Sequence, residues 1–474
     1  MENGSSATRK YDYLVIGSGP AGFASSIKAA QLGLKVGIVQ DGTNMLGGAC
    51  LEEGVIPAKS LIHSAGVLSA IKKHGNLYGI EMQSNKADMA ALIERSKKAI
   101  RQLRGGFGGL LKRNNIDVIN GFAQFENQHS VKATGNGNEA SMITADKFLI
   151  ATGSVPKPLP GIPFDGHNVI SSTDAVSLAE TPDKILIVGG GSIGVEFASF
   201  FNIIGSEVVI VEFEDSLIPF EDKDVSASLE QVFSKKGIKI HTSSKVEKIS
   251  DASNCLEVLI KGADREMTEK CNVVLVSTGR IPSSSSLGLD NAGVDRDEKG
   301  YIPVDNYMRT NKKHIWAAGD VIPTPMLANV ALVEGEIAAL SAAGQTVEPI
   351  DYSSVPNVVY TQIQVASIGL TEKQVVANGI EYSVGRQPFI GTFKASINSE
   401  REGFIKVIAN SRTGELLGVH IFAYEAAELI QGFIIAKKAG LPVQEIQKTI
   451  PPNPTYSESI IDACKAVFSR TVRS

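Results

Sequence analysis

Two glycine clusters in this chain have the spacing to hold a dinucleotide. The first, Gly17-Ser-Gly19-Pro-Ala-Gly22, follows the apolar run from Tyr11 to Ile16 and opens a helix running through Ala30. Gly17 allows a tight turn, Gly19 lets the backbone approach a pyrophosphate, and Gly22 permits close helix packing, so phosphates would rest on the helix N-terminus. A second copy, Gly189-Gly-Gly191-Ser-Ile-Gly194, follows Lys184-Ile-Leu-Ile-Val. The next strand ends at Glu212, whose carboxylate can accept from both ribose hydroxyls and would repel a 2′-phosphate. No Arg or Lys follows in Phe213-Glu214-Asp215, so NAD is favoured over NADP. In the first cluster the matching strand, Lys35 to Val39, runs into Gln40-Asp41. Gln40 stands where counting from Gly33 places the ribose acid, which leaves Asp41 as the candidate ribose partner.

Further segments carry polar chemistry. Gly47-Gly-Ala-Cys50-Leu-Glu52-Glu53-Gly-Val55-Ile-Pro-Ala-Lys59 holds one thiol. A single thiol cannot cycle two electrons as a dithiol/disulfide pair, and Glu52 and Glu53 are expected to raise its pKa and lower its thiolate fraction. Near the C-terminus, Pro451-Pro-Asn453-Pro-Thr-Tyr-Ser-Glu458 presents an amide, which exchanges no proton near neutral pH. Thr310 to Gly319-Asp320 is a short strand ending in Gly-Asp, and Ala151-Thr152-Gly153 and Ser277-Thr278-Gly279-Arg280 are two further strand-ending segments.

The elements that must position these groups belong to an α/β chain. At 474 residues and 43% apolar content it is long enough for two or three domains, each with its own core. Its 46 basic and 51 acidic residues leave a net charge of −5, with no electropositive field for nucleic acid. A small-molecule partner is expected instead. Cys50, Cys255, Cys271 and Cys464 lack metal-ligand spacing, so no metal is expected. The N-terminus lacks a basic region followed by an apolar stretch, and no apolar run approaches the roughly 20 residues of a membrane span. These features point to a reducing, cytoplasmic compartment and no membrane span. The stretch from about Asp88 to Arg113, with Arg95, Lys97, Lys98, Arg101 and Arg104, is expected to be a solvated helix face.

From Tyr11 to about Arg470 these segments, in this order, resemble the pyridine nucleotide-disulfide oxidoreductases, and within them the dihydrolipoyl dehydrogenases most. The resemblance implies two Rossmann-like dinucleotide-binding domains plus a C-terminal α/β dimerisation domain. The FAD-binding domain would take residues 1–150 and 281–350, the NAD-binding domain 151–280, and the interface domain of a homodimer 351–474. FAD and NAD(H) are the implied cofactors, with Asp320 on the ribityl chain. Lys59 and Glu196 match the family's ion pair beside the flavin and nicotinamide, so hydride transfer from NADH to FAD is expected to operate.

The resemblance also marks departures. Val55 stands where the family has its second redox cysteine, and Cys50 matches the outer, substrate-facing thiol. Asn453 replaces the catalytic His, leaving Glu458, which orients that His in the family, without its partner. Asn329 replaces another His, and Gln362-Ile363-Gln364 lacks the family's proline. The expected function is an FAD-dependent NAD(H) oxidoreductase without a redox-active disulfide, of the diaphorase or quinone reductase type. Its electrons would go to a quinone, a second nucleotide or another small-molecule acceptor. Two alternatives stay open: a dihydrolipoyl dehydrogenase of unusual mechanism, and a non-catalytic flavin-binding subunit of a larger multienzyme assembly. Cys50 is either a reactive thiol or an inert remnant, and Asn453 with Glu458 either serves catalysis or braces the dimer.

Overall fold

The computed structural model describes residues 9–42, 45–81, 86–135, 139–262 and 265–469. The start of the chain, read above as carrying no leader, lies outside the described residues. The chain forms two compact units. One holds Met1–Ser60, Ile93–Lys157 and Gly279–Ile350; the other holds Leu61–Leu92, Pro158–Thr278 and Asp351–Ser474.

In the first unit, the strand Arg9–Ile16 is central. It pairs in parallel with Val36–Gln40 on one side and with Ala140–Ile150 on the other, with Ile16 opposite Val39 and Ile150. Asp117–Asn120 extends the sheet beyond Val36–Gln40. The long strand Ala140–Ile150 is shared: its first half pairs antiparallel with Ser130–Thr134, and Phe148–Ile150 pairs in parallel with Ile315–Ala317. Tyr13, Leu14 and Val15 are all fully buried, as expected for a strand covered on both faces rather than one. The helices Pro20–Gln31 and Ala328–Ala342 pack together closely. A Cβ on Gly335 would sit 2.1 Å from the carbonyl oxygen of Ala21.

The second unit contains a parallel sheet in the order Lys239–His241, Glu207–Val211, Lys184–Val188, Val273–Val276, Val169–Ile170. Lys245–Ala252, Cys255–Lys261 and Glu266–Cys271 form an antiparallel meander. Residues 357–423 supply a five-stranded antiparallel sheet whose central strand Leu416–Ala423 is buried along its whole length. The helices Ala426–Lys438 and Glu458–Ala466 follow it in the chain.

One sequence expectation needs correction. The helical stretch Gly48–His74 is long and apolar enough, by length and composition, to cross a membrane. Lys59 and His63 interrupt its apolar runs, so no uninterrupted stretch marks it, yet the average over the helix is apolar. Leu51 and Leu61 on this stretch are buried, and 22% of its most apolar window is buried in the fold.

The second unit also has an ionic core. Lys406, 2% exposed, donates to Asp222 at 2.8 Å and to Asp224 at 3.0 Å, and pairs with Glu372 at 2.6 Å. Burial pushes the Asp222 carboxyl upward, but the hydrogen bond from Lys406, the nearby His420, the Glu372 N–H and the Lys406 charge together outweigh it and leave Asp222 below the ordinary carboxylate range. Burial alone would depress the Lys406 ammonium; its hydrogen bonds to Asp222 and Glu372 instead hold it above its ordinary value. Removing one member of such a network strands the others in a dry site. Lys406→Met should therefore cost about 3–5 kcal/mol in urea unfolding at pH 7. The depressed Asp222 contributes stability above about pH 4 that disappears as pH falls through its folded pKa, so the deficit should shrink in acid. An unchanged urea midpoint at neutral pH would contradict this account.

Candidate flavin and nicotinamide sites

The first glycine turn is built by close backbone contact. Gly17 has φ +105°, and its N–H donates to Val39 O at 2.8 Å. A Cβ there would meet Ala151 O at 2.2 Å, and a Cβ on Gly22 would meet Gly17 O at 1.9 Å. Gly19 differs, because a Cβ at that position meets nothing within 4 Å. It caps Pro20–Gln31 with no side-chain acceptor for the first helical N–H groups. That leaves an open face with unspent donors at a helix N-terminus, which suits a pyrophosphate.

The Gly47–Lys59 segment is fastened to this turn. Gly47 N donates to Ser18 O at 3.0 Å, Ser18 Oγ donates to Met45 O at 2.9 Å, and a Cβ on Gly48 would sit 2.7 Å from the Gly19 Cα. Cys50 lies on the short helix Gly48–Glu52, and Val55 begins the helix Val55–His74. All four cysteines are free. Burial, and then the Asp320 carboxylate, push the Cys50 thiol above its ordinary pKa, with Lys59 pulling the other way. The direction is as expected, but the source differs. Glu52 is spent on Arg104, which donates from Nε at 2.8 Å and also binds the other carboxylate oxygen. The acid that acts on Cys50 is Asp320.

The same pairing corrects the reading of residues 88–113 as a solvated face. Lys97 and Lys98 are exposed, but Arg104 holds Glu52 and Arg95 donates to Ser60 O at 3.1 Å and Ser60 Oγ at 2.9 Å. Helix Met89–Arg113 therefore braces the thiol-bearing segment.

Asp320 sits in a network that the motifs did not disclose. Ser154 Oγ donates to Asp320 Oδ2 at 2.6 Å, and Arg280 donates from Nε to Ser154 Oγ and from Nη2 to Ser154 O, both at 2.7 Å. The fully buried Glu334 accepts from Gly319 N at 2.8 Å and so anchors the Gly-Asp turn. Thr152 Oγ1 donates to Ser283 O at 2.7 Å, and Gly153 O accepts from Ser283 N at 2.9 Å. Gly279, at φ +124°, accepts from Lys157 N at 3.0 Å. These short bonds join the two strand-ending segments.

At the ribose position, Asp41 is exposed, whereas Gln40 is 5% exposed and donates from Nε2 to Asn120 Oδ1 at 2.6 Å. Gln40 Oε1 is buried with no donor. It is an acceptor of the kind a ribose hydroxyl needs, at the place counting from Gly33 indicates.

In the second unit the turn repeats the first. Gly189 also has φ +105°, a Cβ on Gly194 would meet Gly189 O at 1.9 Å, and Gly191 faces open space. Glu212, 7% exposed, accepts from Glu214 N at 2.7 Å and from Gly190 N. These two bonds set its orientation and leave further lone pairs for hydroxyls. Glu196 is buried on the helix Ser192–Ile204 and accepts from Tyr360 N at 2.9 Å. Lys59 belongs to the first unit.

Glu458 is not left without a partner. Asn453 Nδ2 donates to its Oε1 at 2.5 Å, and Thr455 N donates to Oε2 at 2.9 Å. The amide N–H donates to the carboxylate but supplies no titratable proton. Gln362 is also engaged, donating to Ser69 Oγ at 2.6 Å.

These contacts predict two outcomes. Gly19→Val should fold, because its Cβ points into open space, yet lose FAD; Gly22→Ala should fail to fold, because its Cβ meets a carbonyl at 1.9 Å. Flavin absorbance per chain together with thermal melting reads both, and a stoichiometrically flavinated Gly19→Val protein would contradict the placement. Glu212 should also make NADH reduce the flavin faster than NADPH by at least about tenfold, measured by stopped-flow bleaching.

Comparison with known proteins gives the family. The pyridine nucleotide-disulphide oxidoreductase family profile matches residues 11–335, and that family's dimerisation domain matches residues 355–464. Mitochondrial dihydrolipoyl dehydrogenase of Pisum sativum is 36% identical over 98% of this chain and 93% of its own length. Leghemoglobin reductase of Glycine max is 36% identical over 98% of this chain and 89% of its own. The Cu(II) complex of the HOCl-induced flavoprotein disulfide reductase RclA from Escherichia coli superposes with a TM-score of 0.87 at 29% identity, covering 97% of this chain and all of that one. With its paired glycine turns, its Gly-Asp segment and these full-length matches, the chain belongs to the pyridine nucleotide-disulphide oxidoreductase family, whose members contain FAD and use NAD(H).

Proposed function

We propose that this protein oxidises NADH through FAD and delivers the electrons to a small-molecule acceptor other than a disulfide, such as a quinone or a second nucleotide. It would do so in a reducing, cytoplasmic-type compartment, as a homodimer joined through residues 351–474. FAD-binding would fall to 1–150 and 281–350, and NAD-binding to 151–280. The observation that carries the reading is Val55, an apolar side chain at the start of the helix after Cys50, where the resemblance places the second redox sulfur. Cys50 is then a lone thiol held protonated by burial and by Asp320.

FAD, when bound, accepts hydride from NADH and passes electrons onward. The chain's own residues do the rest. The open N–H groups around Gly19 would hold the pyrophosphate, Asp320, set by its Ser154 and Arg280 network, would hold the ribityl chain, and Gln40 Oε1 or Asp41 would accept from the ribose. Glu212 selects an unphosphorylated nicotinamide dinucleotide. By the resemblance, Lys59 would serve at the flavin and Glu196 at the nicotinamide. Asn453 holds Glu458 but moves no proton, so a dithiol substrate finds no base there. That Glycine max relative is named for leghemoglobin as the species reduced, which supports acceptors beyond lipoamide in this family.

The runner-up is a dihydrolipoyl dehydrogenase of unusual mechanism, favoured by the full-length match to the Pisum sativum enzyme. Steady-state turnover separates the two. Lipoamide reduction should run at least about 100-fold below reduction of quinones or dyes, the usual worth of a general acid–base residue. Val55→Cys alone should add little lipoamide activity, and Val55→Cys with Asn453→His should add more than the two single changes together. Lipoamide turnover in the unmodified protein matching its dye reduction would overturn the proposal.

A further inference from the structure

Beyond the last turn of the helix Ala328–Ala342 lies a cavity of about 530 Å³, lined by Lys147, Arg309, Lys313, Trp316, Ser341 and the turn Ala342–Gly344. It shares no residue with the dinucleotide turn. Three cations and no carboxylate line it. Among the described residues none of the three forms an ion pair.

The hydrogen bonds within the lining leave donors in excess. Lys147 Nζ donates to Ala342 O at 2.6 Å, which accounts for one cation as a helix C-terminal cap. Arg309 Nε, at 3.2 Å, and Trp316 Nε1, at 3.0 Å, both donate to Ser341 Oγ. Ser341 is 5% exposed, and with its oxygen accepting twice, its own O–H has no acceptor among the described residues. Arg309 lies over the Tyr307 ring at 5.5 Å, which restrains its guanidinium and leaves both terminal nitrogens unspent. Lys313 touches no acceptor among the described residues. Helix capping explains Lys147 but not Arg309 or Lys313.

A buried hydroxyl proton, an oriented guanidinium fork and two ammonium groups around one cavity form the complement of an oxyanion. The depression is open to solvent, with Arg309 and Lys313 exposed at its rim, and its volume exceeds what a single phosphate fills. We propose that this cavity binds a small multivalent oxyanion, of the diphosphate or tricarboxylate class, independently of the dinucleotides.

Isothermal titration of the full-length, FAD-loaded protein tests this with inorganic diphosphate in one arm and citrate in the other, at low ionic strength. At least one anion should bind saturably, at about one per chain, and weaken as salt rises. Arg309→Gln with Lys313→Gln should weaken it at least about tenfold. The charge-matched Lys97→Gln with Lys98→Gln, on an exposed helix face, should leave it within about twofold. Flavin absorbance and thermal melting establish that each variant is folded, and Lys313→Gln alone serves if the double variant melts early. No saturable binding of either anion, or equal losses in the two double variants, would overturn the proposal.

Discussion

The structure depends on a contact that admits no side chain: the Gly22 Cα lies so near the Gly17 carbonyl that a Cβ would stand 1.9 Å from its oxygen, and Gly194 repeats this against Gly189. That contact brings each helix down onto the strand before it and leaves its first N–H groups facing open space at Gly19 and Gly191. Other placements follow from it in the first unit. Gly48 backs onto Gly19 and sets where the Cys50 helix starts, and Gly335 backs onto Ala21 and sets the helix whose Glu334 anchors Gly319 and, through it, Asp320. The open helix N-terminus, the thiol and Asp320 are thereby positioned from one strand end.

Within that frame, Val55 begins a regular helix, and Asn453 donates a hydrogen bond to Glu458. On the proposed reading these two positions differ from the family in chemistry rather than in architecture: Val55 carries no sulfur and Asn453 no titratable proton. Cys50, burdened by burial and by Asp320, is poorly suited to act as a nucleophile at neutral pH.

What the amino-acid sequence disclosed was local. A glycine turn needs φ values and contacts that side chains forbid, so Gly17, Gly22, Gly189 and Gly194 announce themselves by spacing, and Glu212 by its place at a strand end. What it concealed was held by residues far apart in the chain. Arg104 neutralises Glu52 from 52 residues away, and Ser154 reaches Asp320 across 166. No periodicity links such pairs, so Glu52 was read as acting on Cys50 and Arg104 as facing solvent. Gln40 shows the middle case: its position was countable, but only burial shows that its oxygen lacks a donor.

The central claim, that electrons have no disulfide to visit, is tested most directly by anaerobic reductive titration of the FAD-loaded protein. With flavin as the only two-electron centre, full reduction should consume about one reducing equivalent pair per FAD, without a long-wavelength thiolate-to-flavin band on the way. Uptake of about two pairs per FAD, with such a band at the halfway point, would show a second redox couple and contradict the account.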